Sequence, residues 1–207
     1  MSLFELIYED PAFLVVSKAP GLLSVPGRGP DKQDCLIHRV QMVYPEALSV
    51  HRLDMGTSGL LVVARGPAMH RELSMLFQER KVSKRYIAIV DGQLAASSGE
   101  ISLPLICDWP NRPRQKVDHE IGKPSLTRYR LLNFDITTNS SRIELEPVTG
   151  RSHQLRVHLA ELGHPILGDE LYGSETSAPR LLLHATMLSF PVPGTHETLN
   201  FESAPDF

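Results

Sequence analysis

His51-Arg52-Leu53-Asp54-Met55-Gly56-Thr57-Ser58-Gly59, followed without a break by Leu60-Leu61-Val62-Val63-Ala64-Arg65, joins a charged turn to an apolar run. The five residues Leu60 to Ala64, apolar throughout and bounded by turn residues, read as a buried strand. Asp54 then stands at the mouth of a sheet. Gly56 and Gly59 permit backbone conformations closed to other residues and a close approach to a ligand. Thr57 and Ser58 can bond the turn's free amides or a carboxylate oxygen. Since Asp, Thr, Ser and Gly are ordinary turn residues, spacing alone leaves a capped structural turn and a functional carboxylate as equal readings.

Toward the N-terminus, Phe4 to Tyr8 and Phe13 to Ser17 are short apolar runs separated by Asp10-Pro11, which predicts a hairpin. Pro20-Gly21 and Pro26-Gly27 punctuate a loop. Leu36, Ile37, Val40 and Val43 recur at helical spacing within Asp31 to Tyr44, and Pro45 stops the segment, so a packing helix is expected there. Beyond the Asp54 strand, Pro67, Met69, Leu73, Leu76 and Phe77 predict a second amphipathic helix ending near Arg80. Arg80, Lys81, Lys84 and Arg85 crowd the next turn, ahead of a strand Tyr86 to Val90 closed by Asp91-Gly92. Such charges usually form a solvated face, and a tyrosine opening a strand usually belongs to a core.

Gly99 to Ile106 could be a strand. The stretch Asp108-Trp-Pro-Asn-Arg-Pro-Arg-Gln-Lys116 carries two prolines, three basic residues and the single tryptophan, and reads as a basic loop with one aromatic face or as plain solvated surface. Leu126 to Phe134 and Arg142 to Glu146 read as strands. Thr149-Gly-Arg-Ser-His-Gln-Leu-Arg-Val-His158 opens a helix with Leu155, Leu159 and Leu162 at helical spacing and Gly163 as its C-cap. His164 to Gly173 follows as a loop.

Of the 207 residues, 21 are Lys or Arg and 24 Asp or Glu, a formal charge of −3 that argues against a general nucleic-acid coat. Any nucleic-acid contact must come from local basic surface. There is room for one moderately large domain or two closely packed halves with a real core. No run approaches the roughly 20 apolar residues that cross a bilayer, and no secretory signal is evident, so a cytoplasmic protein without membrane contact is expected. Cys35 and Cys107 form neither a disulfide framework nor a paired metal motif. His153 and His158 lie five positions apart, not the four that align ligands on one helical face, so no metal is expected. Ser152 lacks the elbow motif of a hydrolase.

His-Arg-Leu-Asp-x-x-Thr-Ser-Gly resembles the catalytic motif of the RluA family of pseudouridine synthases. Lys84-Arg-Tyr-Ile-Ala-Ile-Val-Asp-Gly92 is similar to that family's second motif, with one residue between the lysine and Tyr86. Gly150-Arg-Ser-His-Gln-Leu-Arg-Val-His158 and Gly163-His-Pro-Ile-Leu-Gly-Asp-Glu-Leu-Tyr-Gly173 match its third. The resemblance spans essentially the whole chain. It implies that Asp54 is the catalytic residue, that Arg151 is its charge partner, that Tyr86 lies in the active site, and that the strand bearing Leu182 and Leu183 lines the uracil pocket.

It also implies a single catalytic domain over 1–207 of α+β class, with a bent, mainly antiparallel mixed sheet, flanking helices and a central cleft. No S4-type RNA-binding domain is expected before it. Gly21 to Arg28 and Leu103 to Lys116 look most like the short members that modify both a transfer RNA anticodon loop and 23S ribosomal RNA. The reaction needs no cofactor, and a monomer without an obligatory protein partner is expected.

The RNA contacts expected are His51, Arg80, Lys81, Lys84, Arg85, Arg112, Arg114 and Lys116, with Arg52 as a base-flipping residue. Extended geometry would set Arg52 about 7 Å from Asp54 on the same side of the chain. Two rival readings use the same residues otherwise: a non-catalytic RNA-binding module, for which Asp54 would be dispensable, and a small-substrate hydrolase, for which the Trp109 loop would be idle.

Overall fold

The computed structural model describes residues 4–173 and 178–207. In chain order the elements are β1 (Glu5–Glu9), β2 (Phe13–Lys18), α1 (Leu36–Gln41), β3 (Ala47–Ser49), β4 (Ser58–Arg65), α2 (Pro67–Gln78), β5 (Ser83–Asp91), β6 (Ser98–Ser102), β7 (Leu105–Cys107), β8 (Gln115–Val117), β9 (Leu126–Asp135), β10 (Ser140–Pro147), α3 (Gln154–Glu161), β11 (Leu183–Pro191) and β12 (Thr198–Glu202). The strands pair mainly antiparallel and the helices are few, the α+β pattern expected from the sequence. Two compact units share the chain, one running up to Lys84 and including His184–Asp206, the other Arg85–Leu183 with Phe207.

The first unit is organised on β4, which pairs with β2 and β3 antiparallel and with β11 parallel. Leu60 to Ala64 are all buried, so both faces of the strand are covered. Leu60, Val62 and Ala64 pack with Leu73 of α2 and with Phe13, Phe190 and Phe201. Burial of Leu73 alone is worth about 2 kcal/mol. The predicted N-terminal hairpin forms as β1–β2, its turn closed by Ala12 N–H donating to Asp10 Oδ1 at 2.8 Å.

Gly59 is where the parallel junction closes. Its φ of +108° belongs to glycine, and a Cβ there would lie 2.3 Å from the Ala185 carbonyl oxygen. Beside it, Ser58 Oγ and His184 Nδ1 are 2.9 Å apart, both residues buried. His184 Nε2 faces the Ser203 carbonyl at 3.1 Å and must carry the proton, so Nδ1 accepts from the Ser58 hydroxyl. This hydroxyl joins two strands.

The second unit orders its strands β5-β10-β9-β6, all antiparallel, with β7–β8 as a separate hairpin. Leu155 and Leu159 of α3 enter its core with Ala88, Val90, Ile143 and Leu145. Leu162 does not; it is 39% exposed at the helix C-cap. Gly163 caps as predicted, its N–H donating to Ala160 O at 3.0 Å with φ +86°.

Several element boundaries differ from the sequence reading. β5 starts at Ser83, so Lys84 and Arg85 lie on the strand rather than in the turn before it, and Tyr86 is its fourth residue rather than its first. The first helix is Leu36–Gln41 only, because the amides of Leu36 and Ile37 donate to Leu23 O and Ser24 O and Cys35 is extended. The third begins at Gln154, since His153 is left-handed (φ +52°) and cannot join a right-handed helix. The strand expected over 99–106 splits at Leu103-Pro104 into β6 and β7, Pro104 having no N–H to pair.

Candidate active site

Asp54 sits half-buried in the turn that precedes β4, and its carbonyl accepts from Thr57 N–H at 3.1 Å. The turn is clamped by a loop of the same unit. Buried Ser24 Oγ donates to Leu53 O at 2.8 Å and accepts from Leu53 N–H at 3.0 Å. Gly21 N–H donates to Met55 O at 2.9 Å. Lys18, only 1% exposed, gives Nζ to the carbonyls of Ala19 (2.9 Å), Leu22 (2.7 Å) and Met55 (3.0 Å). Burial lowers the Lys18 pKa to about 8, while the charge of Asp54 pulls it up. A cation and a carboxylate are thus held around one turn.

Neither Lys18 nor Ser24 was singled out from the sequence. The one available sign was a lysine ending an otherwise apolar strand, Phe13 to Lys18, immediately before Pro20-Gly21.

The alternation argument for Arg52 does not hold, because residues 51–54 lie outside any strand and β4 starts only at Ser58. Arg52 is exposed where Asp54 is half-buried. His51 is placed structurally: Nε2 accepts the Val62 N–H at 3.1 Å and the ring stacks on Phe77 with centroids 4.4 Å apart. Burial, helped by the charge of Lys84, lowers its pKa to about 3, so the imidazole is neutral and its acceptor nitrogen is occupied. Lys84 lies over the Phe77 ring at 5.9 Å, with its own pKa lowered by burial. Arg80 is exposed and left-handed (φ +59°), which ends α2, and Lys81 pairs with Glu79 at 2.7 Å.

In the second unit, Tyr86 is half-buried on β5 opposite Leu145 and packs against the core. Arg85 reaches Glu144 at 3.4 Å, a carboxylate shared with Arg130. Arg151 is exposed on a turn held by buried Gln154. Gln154 Oε1 accepts from Thr149 Oγ1 (2.7 Å) and Arg151 N–H (3.0 Å), and Nε2 donates to Leu126 O and Thr127 Oγ1, both at 3.0 Å. All four of that amide's hydrogen-bonding positions are filled.

Tyr172 links two of the sequence motifs. Its hydroxyl accepts from Gln115 N–H at 2.7 Å and meets His153 Nδ1 at 2.8 Å. Arg114 and Arg156 lie over its ring at 5.4 and 5.2 Å. Arg156 also forms a buried two-pronged ion pair with Asp169, at 2.8 and 2.7 Å. Burial raises the Asp169 pKa, but the Arg156 bonds and charge outweigh it and hold the carboxyl below its ordinary value. The basic loop, the start of α3 and the Gly163–Gly173 loop are thereby tied together.

His158 is fully buried between Thr127 Oγ1 and the Leu103 carbonyl, so the two histidines of the third motif serve different partners. Among the described residues no group of three His, Cys, Asp or Glu is placed to hold a metal ion. Leu183 is 3% exposed in the core, while Leu182 is half-buried with its backbone bonded to Ile89 and Leu167. Arg112 and Arg114 are exposed on the loop between β7 and β8, and Lys116 is exposed on β8 itself, paired with Ile106 of β7 rather than in the loop.

The family model described as RNA pseudouridylate synthase matches residues 12–161. The chain is 50% identical over 205 residues to the dual-specificity RNA pseudouridine synthase RluA of Escherichia coli K12, covering 98% of this chain and 93% of that protein. It is 48% identical over 206 residues to the RluA of Pasteurella multocida, covering 98% and 94%. Among solved structures, human RNA pseudouridylate synthase domain containing 1 superposes with a TM-score of 0.83 at 30% identity, over 99% of this chain and 84% of that one.

Proposed function

We propose, on the premise that this chain belongs to the RNA pseudouridylate synthase family and isomerises uridine to pseudouridine in RNA, that Asp54 is the catalytic carboxylate and that the two compact units work as one catalytic domain. The observation that carries this is the clamped turn, which holds Asp54 half-buried beside the buried cation of Lys18. The reaction breaks the bond from the ribose C1′ to the uracil nitrogen, turns the base, joins C1′ to C5 and removes the C5 proton. A carboxylate serves it by attacking the sugar or by taking a ribose proton. Either route needs that carboxylate ionised and fixed.

Arg151 and Tyr86 take the roles that the matching motifs imply. Arg151 is the charge partner of Asp54, and Tyr86 stacks on the uracil and assists loss of the C5 proton. Leu183, the first residue of β11, and Leu182 just before it flank the base. Arg52 occupies the space vacated by the flipped uridine, whose extrusion costs a few kcal/mol. Arg80, Lys81, Lys84, Arg85, Arg112, Arg114 and Lys116 supply basic surface for the phosphates. His51 serves that surface from beneath, by holding β4 against α2.

The substrates are a transfer RNA anticodon loop and a 23S ribosomal RNA loop, bound by a cytoplasmic monomer without cofactor or obligatory protein partner. Among the described residues no helix is long and apolar enough to cross a membrane. The test is Asp54→Asn, assayed by tritium release from 5-tritiated uridine in transcripts of both RNAs. Activity falls below detection while RNA affinity and melting temperature stay within error of wild type. Substantial turnover by the variant removes Asp54 from the chemistry, and conversion of only one transcript by wild type overturns the dual specificity.

A further inference from the structure

Trp109 is 67% exposed, a large apolar surface to leave in water. It lies on the connection between β7 and β8, within a short 3₁₀ turn, Trp109–Asn111. The connection is braced internally. Asp108 N–H donates to Arg114 O at 3.0 Å, Asn111 N–H to Asp108 O at 3.0 Å, and Asn111 Nδ2 to Asp108 Oδ2 at 2.9 Å. The base of the loop is anchored by the Gln115 N–H bond to the Tyr172 hydroxyl. The indole therefore stands on a preformed support, and little ordering entropy is lost when something binds it.

One face of the indole is already occupied. The Arg112 guanidinium lies 3.9 Å from the ring centroid, fixed by Arg112 Nε donating to Trp109 O at 3.1 Å. With one face covered and two-thirds of the residue exposed, the other face is open to solvent. A cation behind an open aromatic face, flanked by exposed Arg114 and Lys116, has the chemistry that receives a nucleobase between phosphates. A plain solvated loop would gain nothing from presenting its only large apolar side chain outward.

We propose that Trp109, backed by Arg112, is a stacking platform for one unpaired base of the RNA loop that carries the target uridine, a base flanking that uridine and distinct from it. The proposal rests on the RNA substrates proposed above and assigns a residue that helps to choose among them. Stacking is tolerant of base identity, so the platform selects for an unpaired nucleotide at a set distance from the uridine rather than for a particular sequence.

Trp109 is the sole tryptophan of the chain, so its emission reports on this loop alone. The experiment titrates the wild-type protein with an anticodon-arm transcript, follows tryptophan emission, and measures uridine conversion in the same samples. Saturable quenching is expected, lost when one loop nucleotide other than the target is made abasic. Trp109→Leu should weaken binding of the intact RNA about tenfold, within a range of ~5 to ~150 for one lost stack. It should change binding of that abasic RNA by less than about twofold, and Trp109→Phe should recover part of the affinity. Emission unchanged on saturation, Trp109→Leu binding like wild type, or quenching that maps to the target uridine itself each overturns the platform. Conversion intact without quenching sinks the platform alone, whereas quenching without conversion sinks the substrate assignment and leaves the platform standing.

Discussion

Replacing Gly59 with alanine tests the junction on which the Asp54 turn is built. The added Cβ would lie 2.3 Å from the Ala185 oxygen and 2.7 Å from its nitrogen. A relaxed carbon–oxygen contact is about 3.3 Å or more, so the strands must part by roughly 1 Å. Both parallel pairs, His184 with Ser58 and Ala185 with Gly59, lie at that point. Losing two buried hydrogen bonds costs about 2–4 kcal/mol, and forcing alanine to φ +108° adds about 1–2 kcal/mol. The sum, about 3–6 kcal/mol, is a large share of a domain's usual stability. At roughly 2–4 °C per kcal/mol for a chain of this size, melting should fall by about 6–24 °C. Gly66→Ala is the control, because Gly66 has a comparable φ of +91° with nothing within 4 Å of its Cβ position, leaving strain alone. Urea titration of both variants separates the two effects. A Gly59→Ala loss within 1 kcal/mol of the control would refute the close-approach argument.

Lys18→Met should cost roughly 2 kcal/mol, since three partly buried carbonyls lose their donor while relief of a buried charge offsets part of that loss. Pseudouridine formation should fall much further than the folded fraction, as the Asp54 turn loosens; activity that merely tracks the folded fraction in parallel melts and tritium-release assays would contradict this. His51 should make the fold acid-sensitive. The unfolded chain takes up its proton near pH 6.5 and the folded chain only near 3, so stability is present above 6.5 and lost as pH falls through that window. Because His51 is half-buried rather than sealed, about 2 kcal/mol at pH 5 is an upper figure. His51→Gln, compared with wild type by urea unfolding at pH 7.5 and 5, should lose less over that interval, and equal losses would exclude His51 as the source.

Much of the secondary structure was legible because its causes are local. The β1–β2 hairpin follows from two apolar runs around Asp10-Pro11, β4 from five consecutive apolar residues, and the end of α3 from Gly163, each dictated by neighbours a few positions away. The motifs around Asp54, Tyr86 and Arg151 were legible in the same way, as fixed spacings along the chain, and they carried the family and its reaction. Errors arose where a local pattern met a distant partner. The helical spacing of 31–44 was cut short because Leu23 and Ser24 claim the first amides.

Only tertiary structure decided how the turn and loops are held. Ser58 and His184 are 126 positions apart, and nothing in the spacing of either reveals a parallel junction that excludes every side chain but hydrogen at Gly59. Lys18 and Ser24 are unremarkable in sequence until the fold removes water from around the turn, after which carbonyls without donors become costly and these side chains satisfy them. Tyr172 likewise meets Gln115 and His153 through one hydroxyl, a contact that periodicity does not encode. The sequence by itself determined the family, through its motifs, and most of the stretches that become strands or helices, because propensity and motif spacing are properties of the local chain. Burial and hydrogen-bond satisfaction belong to atoms far apart in that chain, so only the folded structure decided which side chains clamp Asp54 and which surfaces stay open to RNA.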